Sequence, residues 1–144
     1  RTDLFQEIGL FDERFFAYFE DIDFGFRANL AGYKCIFLPE SIVYHRGGET
    51  AVHNSRFHLR LTDRNKVITV LKNLPIKYFL KYRRASFDLF FWPFVEVVKL
   101  NFSVWPYILN RFAILLLLPV IIWQRIRIMK TKVITDSELE KILI

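Results

Sequence analysis

Cys35 to His45 reads CIFLPESIVYH, and the reading of this stretch decides the fold class. CIFL and IVYH are runs of strand length, rich in aromatic and branched residues, and PES between them supplies the turn formers Pro39 and Ser41. Read as two short strands between helical segments, they make the chain an α/β protein. His45 then projects from the end of the second strand beside the glycine loop RGGET at residues 46–50, a position where α/β proteins hold ligands. There it could offer a nitrogen ligand or carry a proton, or simply be hydrogen-bonded near the turn. The single cysteine, Cys35, excludes an internal disulfide and a multi-cysteine zinc cluster, and is expected as a buried, inert thiol.

Upstream of the strands, EDIDFGFRANL has Ile22, Phe26 and Leu30 at helical spacing, so the pattern predicts a helix from about Glu20 to Leu30, closed by AGY. Three carboxylates, Glu20, Asp21 and Asp23, crowd its first turn amid Phe and Tyr. Such a group is costly in an apolar place unless a cation or hydrogen bonds compensate, which points to a positive visitor. Asp21, Gly25 and Ala28 share one helix face, so the Asp21 carboxylate would look over small residues that leave room for a ligand. Acids also suit a helix start through the macrodipole alone. Asp23 and Arg27, four apart, are expected to pair on the helix surface. Earlier still, Leu4, Phe5 and Ile8 give a short helix ended by Gly9, and GLFDERFF reads as a loop.

Downstream, SRFHLRLTDRNKVITVLKNL predicts a long helix from about Ser55 to Leu74, stopped by Pro75, with Arg56, Arg60, Arg64, Lys66 and Lys72 on a basic polar face. His53 and His58 are expected in surface or packing roles. Residues 76–100 mix bases with aromatics, as in KYFLKYRR and FDLFFWPFVEVV. In VWPYILNRFAILLLLPVIIWQRIR, Val104 to Arg127, the longest apolar run is Phe112 to Trp123, shorter than the roughly 20 residues that cross a bilayer. Trp105, Tyr107 and Trp123 mark both ends as at a membrane interface. A tilted, partly embedded or re-entrant segment is the first expectation, a core helix of a larger protein the second, and a true span the last. TDSELEKILI predicts a short amphipathic helix capped at Thr135 or Asp136.

Charge divides the chain. Residues 1–50 hold five Lys or Arg against nine Asp or Glu, a net of −4, and residues 51–144 hold sixteen against six, a net of +10. The acidic part suits a site and the basic part a surface seeking anions. Because its bases lie among Leu, Phe and Ile, that surface suits an anionic membrane better than nucleic acid, which is not expected as a partner. The 144 residues suffice for one core. The chain begins with Arg1 and is expected to be the C-terminal piece of a longer one.

GLFDERFFAYFEDIDFGFRANLAGYKCIFLPESIVYHRGG, with the later DRNKVITVLKNLP, resembles the second half of the catalytic domain of inverting, family 2-type glycosyltransferases of the GT-A fold. Rhamnosyltransferase-like and galactofuranosyltransferase-like members are the nearest in pattern. The resemblance rests on an ordered set over about residues 1–75: G-x-FDE-x-FF, the ED-x-D block, a glycine-aromatic pair preceding a proline, and V-x-H. It implies a partial GT-A, Rossmann-like half with short strands and helices over 1–75, followed by an all-α, basic and apolar membrane-associating tail over 76–144. It also implies that Asp21 is the general base for an acceptor hydroxyl. Glu20 would sit beside it, contacting acceptor or orienting the base, with Gly25 leaving room for substrate. His45 would help bind a divalent cation, Mg²⁺ or Mn²⁺. Implied partners are a nucleotide-sugar donor, a glycan or lipid-linked acceptor and the cytoplasmic face of the membrane, in cell-wall or polysaccharide biosynthesis. The family's nucleotide-binding half and its D-x-D motif do not occur in this sequence, since Asp21-Ile22-Asp23 stands at the expected base position. The chain alone is therefore expected not to turn over. Rival readings are a non-catalytic membrane-surface binding module and a metal-dependent hydrolase using Asp21, Asp23 and His45.

Overall fold

A computed structural model describes residues 2–44 and 55–143, with the side chain of Phe102 left aside. Among these residues the regular structure is helical: α1 (Leu4–Ile8), a 3₁₀ turn (Glu13–Phe15), α2 (Glu20–Leu30), α3 (Arg56–Asn73), α4 (Ile76–Lys81), α5 (Arg83–Val98), a second 3₁₀ turn (Phe102–Val104), α6 (Trp105–Lys130) and α7 (Asp136–Leu143).

The expected α/β class is overturned, because the described residues contain no strand. Residues 35–44 run as irregular backbone with a turn at Pro39–Glu40, where Ser41 N–H donates to the Leu38 carbonyl at 3.1 Å. A strand is half of a ladder, and β-propensity measures how well a side chain fits a half-buried pleated surface. Phe37 is 86% exposed and Tyr44 95%, so no such surface meets them. With the strands goes the partial GT-A, Rossmann-like architecture. Cys35 is exposed, against the expectation of a buried thiol. His45, His53 and the RGGET loop lie outside the described residues.

Helix ends follow the sequence closely. Ser55 caps α3, its hydroxyl accepting from His58 N–H at 3.1 Å. At α7, Thr135 and Glu138 form a reciprocal capping box. Gly32, at φ +87°, ends α2 in a conformation that glycine adopts without steric cost.

The core lies along α3. Phe15, Val67, Ile68, Ile114 and Ile121 form one buried cluster, flanked by Leu71, Leu89, Phe90 and Leu117. Leu30, Tyr78 and Leu139 form a second, so α2, α4 and α7 meet at the other end. Val133 N–H completes that end by donating to the Leu30 carbonyl at 2.8 Å.

α6 is a continuous helix of 26 residues, about 39 Å long at 1.5 Å per residue. By length and composition it could cross a membrane, with a mean hydropathy of 1.9, and only 11% of that window is buried. The polar residues that break up its sequence turn inward. Asn110 donates to the Arg60 carbonyl and to Asp63, and Arg111 makes a two-pronged ion pair with Asp63 at 2.7 and 2.9 Å. Arg111 also donates to the Leu89 carbonyl, which Pro93 leaves without its intrahelical donor. Arg125 serves the Leu71 carbonyl, four residues before Pro75, in the same way. With these groups facing α3 and α5, the outer side of α6 is an unbroken apolar stripe through Trp105, Leu109, Phe112, Leu116, Val120 and Trp123.

Candidate functional site at the start of α2

The segment leading into α2 is unusual in its backbone. Phe16, Tyr18 and Phe19 have φ of 61°, 65° and 70°, in the left-handed region that costs a residue with a Cβ roughly 1–2 kcal/mol. Phe19 stands at the N-cap without a side-chain cap, and its carbonyl accepts from Asp23 N–H at 2.8 Å, the first bond of the helix. Asn65 on α3 holds the segment from inside: its Nδ2 donates to the carbonyls of Phe15, Ala17 and Tyr18 at 2.8–2.9 Å. The rings of Phe16 and Tyr18 meet Phe57 and His58 on α3 edge to face.

The three acids, adjacent in sequence, separate in space. Asp21 is exposed, its Oδ1 accepting from Ile22 N–H at 2.8 Å. Glu20 is half-buried, and among the described residues its Oε2 is enclosed and accepts no hydrogen bond. Gly25, one turn on from Asp21, has nothing within 4 Å of where a Cβ would stand. An exposed carboxylate beside open space can take a proton from a hydroxyl held within about 3 Å of it.

Asp23 behaves otherwise. Expected to pair with Arg27 on the surface, it is 0% exposed and is held by Lys72 Nζ at 2.9 Å, Arg27 Nε at 3.1 Å and Asn73 Nδ2 at 2.8 Å. The cation that the acidic triplet called for is thus internal, and it serves Asp23. Lys72, expected on the solvent face of α3, is 1% exposed and bridges Asp23 to Asp12 at 2.7 Å. Burial pushes the Asp12 carboxyl up, but hydrogen bonds from Arg14 and Lys72 outweigh it and hold the group well below the ordinary carboxylate range. Arg27 also binds the carbonyls of Ile8, Gly9 and Leu10, tying the end of α1 to α2.

Sequence reasoning missed Asn65, Lys72, Asn73 and Asp12 as parts of this assembly. The signal for those on α3 was present: Asn65, Thr69, Lys72 and Asn73 recur at helical spacing, forming a polar stripe along one side of the helix. A cleft of about 740 Å³ opens nearby, lined by α1, residues 9–14, Arg27, Lys72 and the last turns of α6. Neither Glu20 nor Asp21 lines it.

The described residues do not assemble a metal site. No group of three His, Cys, Asp or Glu side chains is gathered among them, and Asp23 is committed to two cations. His45, the expected metal ligand, lies outside them, so its distance from Asp21 is not part of this geometry.

Comparison with known proteins gives the site a context. The chain is 32% identical over 74 residues to the N-acetylglucosaminyl-diphospho-decaprenol L-rhamnosyltransferase of Mycobacterium tuberculosis, in strains CDC 1551 / Oshkosh and ATCC 25618 / H37Rv. The matched region is 45% of this chain and 24% of each relative, so the chain corresponds to about a quarter of those proteins. No solved structure matches. The sequence model of glycosyl transferase family group 2 matches residues 1–130, a stretch that takes in the strained segment, α2, the α3 clamp and all of α6. The chain therefore belongs to glycosyl transferase family group 2.

Proposed function

We propose that the protein carrying this chain transfers a sugar from a nucleotide-sugar donor to a hydroxyl of a glycan or lipid-linked glycan acceptor, with inversion, and that Asp21 is the general base. The observation carrying this reading is an exposed Asp21 carboxylate beside open space at Gly25, in a chain of a glycosyltransferase family. The acceptor oxygen attacks the anomeric carbon as the bond from that carbon to the diphosphate breaks. The hydroxyl proton passes to Asp21, and the nucleoside diphosphate leaves with the bonding electrons. A single displacement inverts the anomeric centre. Glu20 contacts the acceptor or orients the base from its half-buried place alongside. The divalent cation expected with this chemistry, Mg²⁺ or Mn²⁺, would draw its ligands from outside the described residues, and the proton transfer does not depend on it.

A lipid-linked acceptor is supported by the name of the Mycobacterium tuberculosis relatives, which act on a decaprenol-linked diphosphate sugar. The outer stripe of α6 supports work at a membrane, with α6 lying along the cytoplasmic surface rather than crossing it, because its inner side is packed on the polar helix α3. That stripe is also the observation favouring the second reading, a non-catalytic membrane-surface module. Asp21→Asn in the full-length protein separates the two. On the enzyme reading, transfer to acceptor falls by about 10²–10⁴-fold, the range for loss of a general base, with donor binding retained. Unchanged transfer would dismiss Asp21 as the base, and absence of transfer by the unmutated protein would favour the module.

A further inference from the structure

We infer that Asn65 is a positioning residue for the candidate base: its side-chain amide holds residues 16–19 in the left-handed backbone that presents Asp21 at the start of α2. The inference rests on the reading of Asp21 given above and concerns how the fold delivers that carboxylate.

Three non-glycine residues out of four in the left-handed region are unfavourable by themselves. Glycine would adopt these angles freely, yet the chain places Phe, Tyr and Phe there. Such a segment persists only where its surroundings over-determine it, and strain of this kind gathers at functional sites. Asn65 supplies the determination. It is 0% exposed, and one amide nitrogen serves three carbonyls, so one of its two hydrogens is shared. Arg64 fixes which end of the amide donates, because its Nε and Nη2 bind Asn65 Oδ1 at 3.1 and 2.9 Å. The same Nη2 reaches the Arg14 carbonyl at 2.7 Å, anchoring the upstream end of the segment.

The clamp bears on Asp21 through the backbone alone. Phe19 is the helix N-cap, and its carbonyl receives the first helical hydrogen bond. If residue 19 relaxed to an ordinary conformation, the entry of the chain into α2 would turn, and the carboxylate two residues later would turn with it. Buried Asp23, pinned by Lys72 and Asn73, fixes the helix from the other side. The clamp therefore governs the direction of the first turn rather than the attachment of α2.

The test compares Asn65→Ala, Asn65→Asp and the double variant Asn65→Ala/Phe19→Gly in the full-length protein, with Asp21→Asn in parallel. Asn65→Asp keeps the shape of the side chain but cannot donate. Both single variants are expected to lower kcat about 100-fold, the scale of an ångström's misplacement, with donor KM unchanged and faster amide exchange confined to residues 16–22. Glycine at position 19 removes the left-handed cost and is expected to restore kcat about tenfold in the Asn65→Ala background. A lowered melting temperature with kcat unchanged would overturn the inference by reducing Asn65 to packing. Loss of donor binding together with kcat, without recovery in the double variant, would also overturn it. If Asp21→Asn abolishes transfer while Asn65→Ala leaves it intact, the positioning role fails and the base stands; if Asp21→Asn is fully active, the base reading itself fails.

Discussion

At the start of α2 the chain divides its acids, with Asp21 exposed, Glu20 half-buried and Asp23 enclosed, whereas along α6 it turns Asn110, Arg111 and Arg125 inward and leaves Leu109, Phe112 and Leu116 facing out. Each region contradicts its local composition. The acidic block holds a buried ion network, and the greasy helix holds a set of bonded bases. The difference lies in what each charge has to meet. Asp21 meets no cation among the described residues and stays in water. Asp23, two positions on, meets Lys72 and Arg27 and can be enclosed. In α6, Arg111 and Arg125 meet Asp63 and two carbonyls that prolines leave without donors, so two charges that would interrupt an apolar surface are removed from it.

The sharpest way to break this contrast is at Lys72, which sits between Asp12 and Asp23 with almost no solvent. Lys72→Met leaves two carboxylates buried with part of their compensation gone, and is expected to destabilise by about 3–5 kcal/mol, measured by urea denaturation. A loss below about 1 kcal/mol, the level of an exposed pair, would show that the network is not truly enclosed.

The opposite region is tested by charging the outer stripe. Phe112→Glu and Leu116→Glu each remove an exposed apolar side chain worth about 1.5–3 kcal/mol on burial, so binding to anionic phospholipid vesicles should weaken at least about tenfold per substitution. Folding stability should stay within about 0.5 kcal/mol of the parent, as for surface positions. Unchanged vesicle binding would remove the stripe from the membrane contact.

A smaller effect sharpens the comparison through pH. Because the folded pKa of Asp12 lies below its ordinary value of 3.8, the unfolded chain binds more protons as pH falls through that value. The stability contributed by Asp12 is therefore complete above it and is lost further into acid. Asp12→Asn should flatten this acid limb by up to about 1.4 kcal/mol per pH unit, the most one titrating group can contribute, and leave the slope near neutral pH as it was. An unaltered acid limb in a series of melts at falling pH would mean that Asp12 is not held ionised by Lys72 and Arg14.

Much of the helical framework was legible. Ser55 and Pro75 bracket α3, the apolar spacing at Ile22, Phe26 and Leu30 marks α2, and the Thr135–Glu138 pair starts α7, because caps and periodicity act within a few residues of chain. The acidic site was legible in part: the residues stood out, but not their division into an exposed Asp21 and a buried Asp23. A polar residue on an amphipathic helix reads as solvent-facing, and Lys72 and Asn73 gain their meaning only when Asp12 and Asp23 arrive from some 50–60 positions upstream.

The sequence by itself determined about where α1, α2, α3 and α7 begin and end, that the basic and apolar residues gather in the later part, and that the family's acidic block is present. Tertiary structure alone decided three things. CIFL and IVYH stay without a ladder, since a strand needs a partner that no local propensity supplies. Arg111 and Arg125 of α6 face inward, because α3 and α5 offer them acceptors. Three left-handed residues hold their shape before Asp21, because the Asn65 amide, from α3, binds the carbonyls of Phe15, Ala17 and Tyr18 within and beside them. Each is a non-local contact, whose energy depends on which surfaces meet rather than on which residues are neighbours along the chain.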